Sequence, residues 1–599
     1  MLYPQQNDRR NLLNLSGFWD FKLDPDEIGA SDGWSMGLDA PRTIAVPGSW
    51  NEQFEDAYHY LGMAWYLRDD VYVPSAWQGQ RVMLRVGSVN YYAQLWANGQ
   101  IVGEHVGGHL PFAFDITDHI KWGEANTIAV QVENHLQPNR IPAGNLPSAG
   151  GLGGSPLGGG YPSATFDFYP FAGIHRPVIL YSVPQAHIED VTVVTEIEGT
   201  TGIVSVTAQQ VGDIARGTIS LVGDSVVATA ELSFADGMAQ ARLQVPNANL
   251  WSMDSPYLYD LVITLQDGGL VVDRYSLEIG IRTIAVRGTQ LLLNGEPVYL
   301  KGFGRHEDFY ASGRGLNQPL IVKDYSLMKW VGANSYRTSH YPYSEEEMRM
   351  ADREGMLIID EIPAVSLNFF GSENDVATRL AMCKQQLEEL VVRDKNHPSV
   401  IMWSVANEPF GGMIARMINP NIPENYNETG HNFLGQLIDL AHHLDATRPA
   451  TLVGIMGGPA EWLDLADVIL INRYYGWYMQ TGRIHEGEKG LEQELDSLAE
   501  FNKPLIMSEF GADAMAGMHS IPAQVFTEDY QRDLIKMYLD VTAKHDFVIG
   551  MHIWNFADFQ ATQSISRVGG MNLKGVFTRA RQPKMAAYLL RERWNSQGQ

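Results

Sequence analysis

The chain has 599 residues, of which 45% are hydrophobic and 19% are charged, and its formal net charge is −27. This length exceeds what one hydrophobic core supports, so we expect roughly three or four domains. The negative net charge argues against nucleic acid as a partner, since phosphate binding requires clustered Lys and Arg. The single cysteine, Cys383, excludes an intrachain disulfide framework and a zinc site built on several cysteines.

The N-terminal stretch MLYPQQNDRRNLL lacks the apolar core of a signal peptide. No later segment approaches the roughly 18–20 consecutive apolar residues that a membrane span needs. We therefore expect a cytoplasmic protein without a membrane partner, or a secreted one whose signal peptide was removed before this numbering begins.

Residues 1–184 show an all-β pattern, with short alternating runs such as VMLRVGSVNYYAQLWANGQIVGEHV. Asn98-Gly99 predicts a hairpin turn, because both residues tolerate a positive φ. The pattern favours a jelly-roll sandwich. The Gly- and Pro-rich run Pro142–Pro162 is interpreted as a long loop within this domain.

Residues 185–283 form a second all-β segment, with strand-like runs VTVVTEI, IVSVTAQQ, ARLQVP and LYDLVITLQD. The spacing of their turns is typical of an immunoglobulin-like β-sandwich. Because the segment contains no cysteine, it would be a disulfide-free version of that fold.

In residues 284–599, strand-like apolar runs alternate with helix-like segments. Eight such runs occur: EPVYLKGFG, GANSYRTSH, GMLIIDEIP, SVIMWSVANEP, ATLVGIMGG, ADVILINRYYGWY, KPLIMSEFG and FVIGMHIWNFADF. Eight β/α units in about 300 residues predict a (β/α)8 TIM barrel. A doubly wound sheet is the alternative, and it is disfavoured because no glycine-rich dinucleotide fingerprint follows the first strand.

Polar residues gather at the ends of these runs, where a barrel carries its catalytic groups. They are Arg305-His306-Glu307, Arg337-Thr338-Ser339-His340, Asp360-Glu361, Asn407-Glu408, Asn472-Arg473-Tyr474, Glu509 and Trp554-Asn555. Strand ends turn polar wherever they meet solvent, but that explanation accounts poorly for so many mixed clusters. The pattern indicates one active site at the barrel mouth.

Two carboxylates stand out in this set. Glu408 ends the fourth run and Glu509 ends the seventh, so both would point into the same mouth. Glycosidic bonds are typically cleaved by a pair of carboxyl groups. A separation of ~5–5.5 Å between the two groups gives retention of configuration, and one of ~6.5–9.5 Å gives inversion. The spacing in the sequence leaves the two outcomes open.

Several motifs resemble glycoside hydrolase family 2, and within it the members that act on glucuronides. NHPSVIMWSVANEP resembles the acid/base motif of the family and LIMSEFGAD its nucleophile motif. Further similar segments are GFGRHED, GANSYRTSHYPY, NRYYGWY, WNFADF and PNANLWSMDSPYLYDL. The resemblance covers nearly the whole chain and implies the three domains named above, the first of them a jelly-roll sugar-binding-like domain.

The resemblance also implies a retaining, exo-acting hydrolase that releases D-glucuronate and an alcohol from β-D-glucuronides through a covalent glycosyl-enzyme. Glu509 would be the nucleophile, and Glu408 the general acid and then the general base. Asn407 would bond the sugar 2-hydroxyl. Burial and the nearby Glu509 charge favour a proton on Glu408, which ionises once Glu509 is esterified.

Six further residues match positions of the family by resemblance. Asp167 matches an aspartate that reaches the active site from the first domain, and His340 a histidine that contacts the sugar. The others match tyrosines near the nucleophile, a tryptophan at the sugar face and an arginine near the substrate carboxylate: Tyr474, Tyr478, Trp554 and Arg567. Packing or purely structural roles remain open for His340, Tyr478 and Trp554.

The loop GGMNLKGVFTR, residues 569–579, places Asn572 and Lys574 two residues apart after the eighth run. A carboxylate at the sugar C6 calls for a cation and hydrogen-bond donors, and this pair supplies both. In an extended loop, residues i and i+2 project to the same side. The alternative is a solvated lysine on a surface turn.

Other functions stay open at this point: a family 2 glycosidase for another sugar, such as a β-galacturonidase or β-galactosidase, or a non-catalytic carbohydrate-binding protein. We expect no cofactor and no metal, since His442-His443 are adjacent and cannot face one ion from a helix. By resemblance we expect a homo-oligomer, a dimer or tetramer. The segment after the third run passes quickly into a helix, which predicts an open mouth that admits larger aglycones or oligosaccharide ends.

Overall fold

A computed structural model describes residues 1–144, 161, 162 and 164–596 of the chain. Most of the predicted loop Pro142–Pro162 lies outside these residues. The described chain folds into two β-sandwiches followed by a closed barrel of parallel strands, as the sequence predicted.

The first domain is built from antiparallel strands in one six-stranded, one four-stranded and one three-stranded sheet. Alternation sets its core: in the second strand, Trp19 and Phe21 are buried, whereas Phe18 is exposed. Asn98 and Gly99 have φ values of 51° and 79° and join two strands as the predicted hairpin turn. The strands are β1 (Asn11–Asn14), β2 (Gly17–Asp24), β3 (Arg42–Val46), β4 (Gly48–Ser49), β5 (Met63–Tyr72), β6 (Arg81–Val86), β7 (Val89–Asn90), β8 (Tyr92–Ala97), β9 (Gln100–Val106), β10 (Phe112–Asp115), β11 (Ala125–Glu133), β12 (Gly173–Ile174) and β13 (Val178–Val183), with a short helix α1 (Trp50–Gln53).

The second domain packs a three-stranded sheet on a four-stranded one. Its core consists of inward-facing aliphatic residues, among them Val204, Val206, Ile219 and Leu261, which gives the predicted sandwich without a disulfide. The strands are β14 (His187–Glu198), β15 (Thr201–Val211), β16 (Arg216–Val222), β17 (Val226–Ser233), β18 (Met238–Val245), β19 (Tyr259–Asp267) and β20 (Leu270–Ile279).

Eight parallel strands close into a barrel in chain order, so the doubly wound alternative is wrong. A small antiparallel sheet precedes them: β21 (Ile284–Arg287), β22 (Gln290–Leu293) and β23 (Glu296–Pro297). The barrel strands fall within the eight predicted runs: β24 (Leu300–Gly304), β25 (Ser335–Arg337), β26 (Leu357–Glu361), β27 (Val400–Asn407), β28 (Ala450–Gly454), β29 (Ile469–Asn472), β30 (Leu505–Glu509) and β31 (Val548–Ile553). Every residue of these strands except Lys301 is buried, as parallel strands covered by helices require.

Helices pack around the barrel and begin at side chains that cap their free N–H groups, such as Asn317, Ser344, Ser372 and Thr527. They are α2 (Gln318–Val331), α3 (Glu345–Glu354), α4 (Glu373–Asp394), α5 (Gly412–Ile418), α6 (Tyr426–Leu444), α7 (Ala460–Leu463), α8 (Ile484–Leu498), α9 (Glu528–Thr542) and α10 (Met585–Asn595). Only eleven residues separate β26 from α4, as predicted, whereas the chain after β27 adds the extra helix α5.

The first domain reaches the barrel mouth through backbone hydrogen bonds to the segment after β31. The amide of Tyr169 donates to Gln560, and that of Thr562 donates to Asp167, at 2.9 and 3.2 Å. This segment forms a two-stranded ribbon, β32 (Phe559–Gln560) with β33 (Met571–Asn572). The ribbon therefore holds Asp167 and Asn572 at the same edge of the mouth.

Candidate active site

A cavity of about 370 Å³ opens at the carboxyl ends of the barrel strands. Ten of the eleven predicted site residues line it: Asp167, His340, Asn407, Glu408, Tyr474, Tyr478, Glu509, Trp554, Arg567 and Asn572. The eleventh, Lys574, lies directly behind, with its Nζ 3.0 Å from the Tyr478 hydroxyl. The barrel thus brings together residues that are spread over more than 400 positions of the sequence.

Glu408 follows the last residue of β27 and has a left-handed backbone conformation, with φ of 50°. This conformation is uncommon for a residue other than glycine, and such residues cluster at functional sites. Its amide donates to Val453 at 2.9 Å, which fixes the turn against β28. Its carboxylate accepts one hydrogen bond, from Asn472 Nδ2 at 3.0 Å.

Glu509 ends β30 and is almost fully buried, with 4% of its surface exposed. Arg337 Nη2 donates to one carboxylate oxygen at 2.5 Å, and the Tyr474 hydroxyl donates to the other at 2.8 Å. His340 Nε2 lies 3.7 Å from the first oxygen. The Arg337 and Tyr474 donors orient the carboxylate and stabilise its charge.

The two glutamates differ in how well their anions are stabilised. Burial raises the pKa of Glu408, and burial together with the Glu408 charge raises the pKa of Glu509 against the opposing effect of Arg337. Glu509 receives hydrogen bonds from a guanidinium and a hydroxyl, whereas Glu408 receives one from a neutral amide. Charge-assisted bonds are the stronger kind, so these contacts favour the anion on Glu509 and the proton on Glu408.

A buried network behind Glu509 holds its neighbours in place. Glu361, which is fully buried, accepts hydrogen bonds from Arg337 Nη1 at 2.7 Å, Ser404 Oγ at 2.7 Å and His340 Nδ1 at 3.0 Å. Burial lowers the pKa of His340 to about 4, so the imidazole is neutral at neutral pH. With its proton on Nδ1, the ring leaves Nε2 as an acceptor for a sugar hydroxyl.

His340 also stacks on Trp554, with ring centroids 5.0 Å apart and an interplanar angle of 20°. Trp554 lines the cavity and at the same time contacts Phe559 in an edge-to-face arrangement. Tyr478, by contrast, is 53% exposed. Both aromatic residues line the cavity, and Trp554 is also packed within the barrel, with 4% of its surface exposed.

Opposite the β27 strand, a cluster of cations and donors surrounds Asp167. Arg567 Nε and Nη2 donate to its two carboxylate oxygens at 2.6 and 2.8 Å, and Asn572 Nδ2 donates at 2.6 Å. Despite burial, the Arg567 charge lowers the pKa of Asp167. Arg567 Nη2 also donates to the Tyr478 hydroxyl at 3.1 Å. A residue of the first domain thus shares the mouth with the barrel.

Lys574 is fully buried, so the alternative of a solvated surface lysine is wrong. Its Nζ donates to Asp513 Oδ2 at 2.7 Å and to the Tyr478 hydroxyl at 3.0 Å. Asp513 Oδ1 accepts the amide of Leu573 at 2.7 Å, and Asn572 Oδ1 accepts the amide of Lys574 at 3.0 Å. Asp513 therefore ties the loop after Glu509 to the loop that carries Lys574.

The sequence matches three domain families over almost its whole length. Residues 12–184 match the family 2 sugar-binding domain of glycosyl hydrolases, residues 186–282 a second domain of the same family and residues 284–597 its TIM barrel domain. The chain belongs to glycosyl hydrolase family 2.

Relatives of this family 2 enzyme are similar over their full length. A Paenibacillus borealis protein named β-glucuronidase is 41% identical over 615 residues, covering 100% of this chain and 99% of the relative. A human protein of the same name is 38% identical over 625 residues, with 99% and 92% covered. A β-glucuronidase structure from Ruminococcus gnavus in complex with D-glucuronic acid is 38% identical, covers 99% of both chains and superimposes with a TM-score of 0.89.

Four polar residues of the site were given no role by the sequence analysis, although three of them belong to its polar clusters and the fourth to the motif LIMSEFGAD. They are Arg337, Glu361 and Asn472, the last residues of β25, β26 and β29, and Asp513, which follows β30. The signal was their place at a strand end or shortly after it. What identifies them is the partner of each, which the sequence does not show.

Within the described residues, no helix combines the length and apolarity that crossing a bilayer requires. In the same part of the chain, no three His, Cys, Asp or Glu side chains are grouped so as to hold a metal ion.

Proposed function

We propose that this family 2 enzyme is a retaining exo-β-glucuronidase, which hydrolyses β-D-glucuronides to D-glucuronate and an alcohol. The observation that carries the proposal is the cluster of Arg567, Asn572, Lys574 and Tyr478 in the cavity of Glu408 and Glu509. Relatives named β-glucuronidase match the whole chain.

The cluster suits a substrate carboxylate because some of its hydrogen-bond donors are not used by bonds between the cluster's own side chains. An ammonium has three N–H groups, and Lys574 uses two of them, for Asp513 and Tyr478. The Tyr478 oxygen accepts from Arg567 and Lys574, and among the described residues its own proton has no acceptor. The uronate carboxylate would take these free donors together with Asn572.

The charge of the cluster is balanced before substrate binds. Arg567 and Lys574 carry two positive charges, and Asp167 and Asp513 carry two negative ones. The donors that remain, one N–H of Lys574 and the O–H of Tyr478, would bond a carboxylate more strongly than the neutral hydroxymethyl group at C6 of a glucoside. The cluster therefore favours the glucuronide over the glucoside.

In the first chemical step, Glu509 attacks the anomeric carbon while Glu408 gives its proton to the departing oxygen. The bond from the anomeric carbon to the Glu509 oxygen forms as the bond to the leaving oxygen breaks. Asn407, which is held by Asn472 Nδ2 at 3.2 Å, would bond the 2-hydroxyl. The products of this step are the free alcohol and a glucuronyl ester of Glu509.

In the second step, water replaces the enzyme at the anomeric carbon. Esterification removes the negative charge of Glu509, so Glu408 ionises more readily and takes a proton from the attacking water. The water oxygen bonds to the anomeric carbon, and the ester bond to Glu509 breaks. Two inversions give net retention, with Glu408 protonated again for the next cycle.

A panel of nitrophenyl glycosides tests the proposal. We expect turnover of the β-glucuronide to exceed that of the β-glucoside, β-galactoside and β-galacturonide, and Glu509→Gln to abolish it. Faster turnover of the galacturonide or galactoside would replace the proposal by another family 2 specificity. Binding of glucuronate without turnover of any glycoside would indicate a carbohydrate-binding protein.

The predicted homo-oligomer stays a prediction. Light scattering on the purified chain measures the mass in solution, and a value equal to one chain would contradict it.

A further inference from the structure

The side of the cavity that faces the leaving group is defined by the position of Glu408 on β27. In a closed barrel of eight strands, β26 and β28 flank this strand, whereas the segment after β31 lies across the mouth. Ser366 donates its amide to Asn407 at 2.8 Å, and Glu408 donates its amide to Val453 at 2.9 Å. The loops after β26 and β28 therefore lie against the acid that protonates the leaving oxygen.

The side chains on these two loops are mostly apolar. Val365, Ile455 and Met456 line the cavity next to Glu408, and the one polar side chain among them is the hydroxyl of Ser366. Other polar residues of the cavity already bond to one another, around Glu509 and Asp167 and, for Asn472, to Asn407 and Glu408. Burying sugar hydroxyl groups without partners costs free energy, so the apolar side disfavours a second sugar.

Helix α5 extends this apolar side outward. A Cβ at Gly457, the residue after Met456, would lie 2.6 Å from Met413 Cε, so Met413 packs over the loop that carries Met456. Met413 and Met417 are one helical turn apart on the same face and are 61% and 78% exposed. Arg416 is the one charged residue of α5. Thioether side chains are flexible and polarisable, and they adapt to flat apolar and aromatic ligands.

We propose that the leaving-group side of this cavity, the strip of Val365, Ile455, Met456, Met413 and Met417, binds large flat apolar aglycones in preference to the next sugar of an oligosaccharide. The inference rests on the proposed function, because it concerns the alcohol released from a glucuronide. Of the two kinds of substrate that an open mouth would admit, larger aglycones and oligosaccharide ends, the proposal favours the first.

Two pairs of substrates separate apolar contact from leaving-group chemistry. Phenyl and 2-naphthyl β-glucuronide release phenols of similar acidity but differ by one fused ring. Cyclohexyl β-glucuronide and the disaccharide of glucuronate β-linked to N-acetylglucosamine both release a secondary alcohol on a six-membered ring, one apolar and one polar. For the wild type we expect kcat/KM to be about five- to tenfold higher for naphthyl than for phenyl, and KM to be lower for the cyclohexyl compound than for the disaccharide.

The double variant Met413→Ser/Met456→Ser tests the strip itself. We expect the naphthyl-to-phenyl ratio to fall toward one, while the phenyl glucuronide is still turned over. Met238→Ser, at a residue of the second domain that is 49% exposed, is the matched control and should keep the wild-type ratio.

The outcomes separate the two proposals. Turnover of phenyl glucuronide with a wild-type ratio near one, a ratio unchanged in the double variant, or a lower KM for the disaccharide overturns the apolar subsite and leaves the glucuronidase proposal intact. A folded enzyme that turns over no glucuronide overturns both.

Discussion

The buried pair of Lys574 and Asp513 allows a sharp test of how the substrate carboxylate is selected. Lys574→Ala alone is a poor probe, because buried Asp513 would lose its hydrogen-bonded cation and keep only the guanidinium of Arg567, 3.7 Å away. Removing one partner of a buried ion pair costs about 3–5 kcal/mol of stability. We therefore choose Lys574→Met, which keeps the length of the side chain, together with Asp513→Asn, which removes the stranded charge.

The magnitude follows from the hydrogen bond that Lys574 has left to give. A bond between charged groups contributes about 1.5–3 kcal/mol, which corresponds to roughly ten- to 150-fold in kcat/KM. The glucoside has no carboxylate at C6 and does not gain this bond. The ratio of glucuronide to glucoside activity should therefore fall by that factor in Lys574→Met/Asp513→Asn.

The assay measures kcat/KM on nitrophenyl glucuronide and nitrophenyl glucoside for the wild type, Lys574→Met, Asp513→Asn and the double variant. Thermal unfolding is the control for folding. Lys574→Met should lower the melting temperature, and adding Asp513→Asn should restore most of it. An unchanged glucuronide-to-glucoside ratio in the stable double variant, or an equal loss on both substrates, would refute the role of Lys574 in carboxylate recognition.

Three further predictions concern the glutamates and stability. Glu408→Ala should lower hydrolysis of glucuronides with poor leaving groups by about 10²–10⁴-fold, and added azide should restore turnover and give the β-glucuronyl azide. With Glu509→Ala, azide should instead give the α-glucuronyl azide. If NMR finds the opposite anomer for each variant, the assignment of Glu408 as acid/base and Glu509 as nucleophile is contradicted. Asn472→Ala removes a bond that stabilises the Glu408 anion, so the pKa of Glu408 rises and the alkaline limb of the pH–rate profile should move to higher pH; a shift to lower pH would be incompatible with Glu408 as the acid. Although burial acts to raise it, the charges of Arg85, Arg393 and Arg349 lower the pKa of Glu345 from 4.5 to about 2. Roughly 3 kcal/mol of stability is therefore present above pH 4.5 and is lost as the pH falls toward 2. In urea unfolding, the stability of Glu345→Gln should fall less steeply with decreasing pH, and a fall as steep as that of the wild type would exclude this ion pair as its source.

The fold and the two glutamates were accessible to sequence analysis because they follow from local patterns. Buried parallel strands appear as apolar runs, and the polar residue that ends each run marks the mouth of the barrel. Glu408 and Glu509 each end such a run. Their position therefore needed only the count of strands, and no knowledge of which side chains meet.

The partners of the site residues were not accessible in this way. Arg337 and Glu509 are 172 residues apart, and Asp167 and Asn572 are 405 apart. The first pair meets because the barrel closes, and the second because β32 and β33 hydrogen-bond to the first domain. Asn472 on Glu408 and Asp513 on Lys574 belong to the same class of contact.

By itself, the sequence determined the three domains and the two carboxylates of the mouth, because periodicity and strand-end residues are local properties. The retaining reaction and the kind of sugar came from the motifs that resemble family 2. Only the tertiary structure decided that Lys574 is buried and shares its charge with Asp513, and that Met413 lies over Met456 beside Glu408. Burial and charge pairing depend on which distant segments pack together. Both the proposed recognition of the substrate carboxylate and the proposed apolar subsite depend on them.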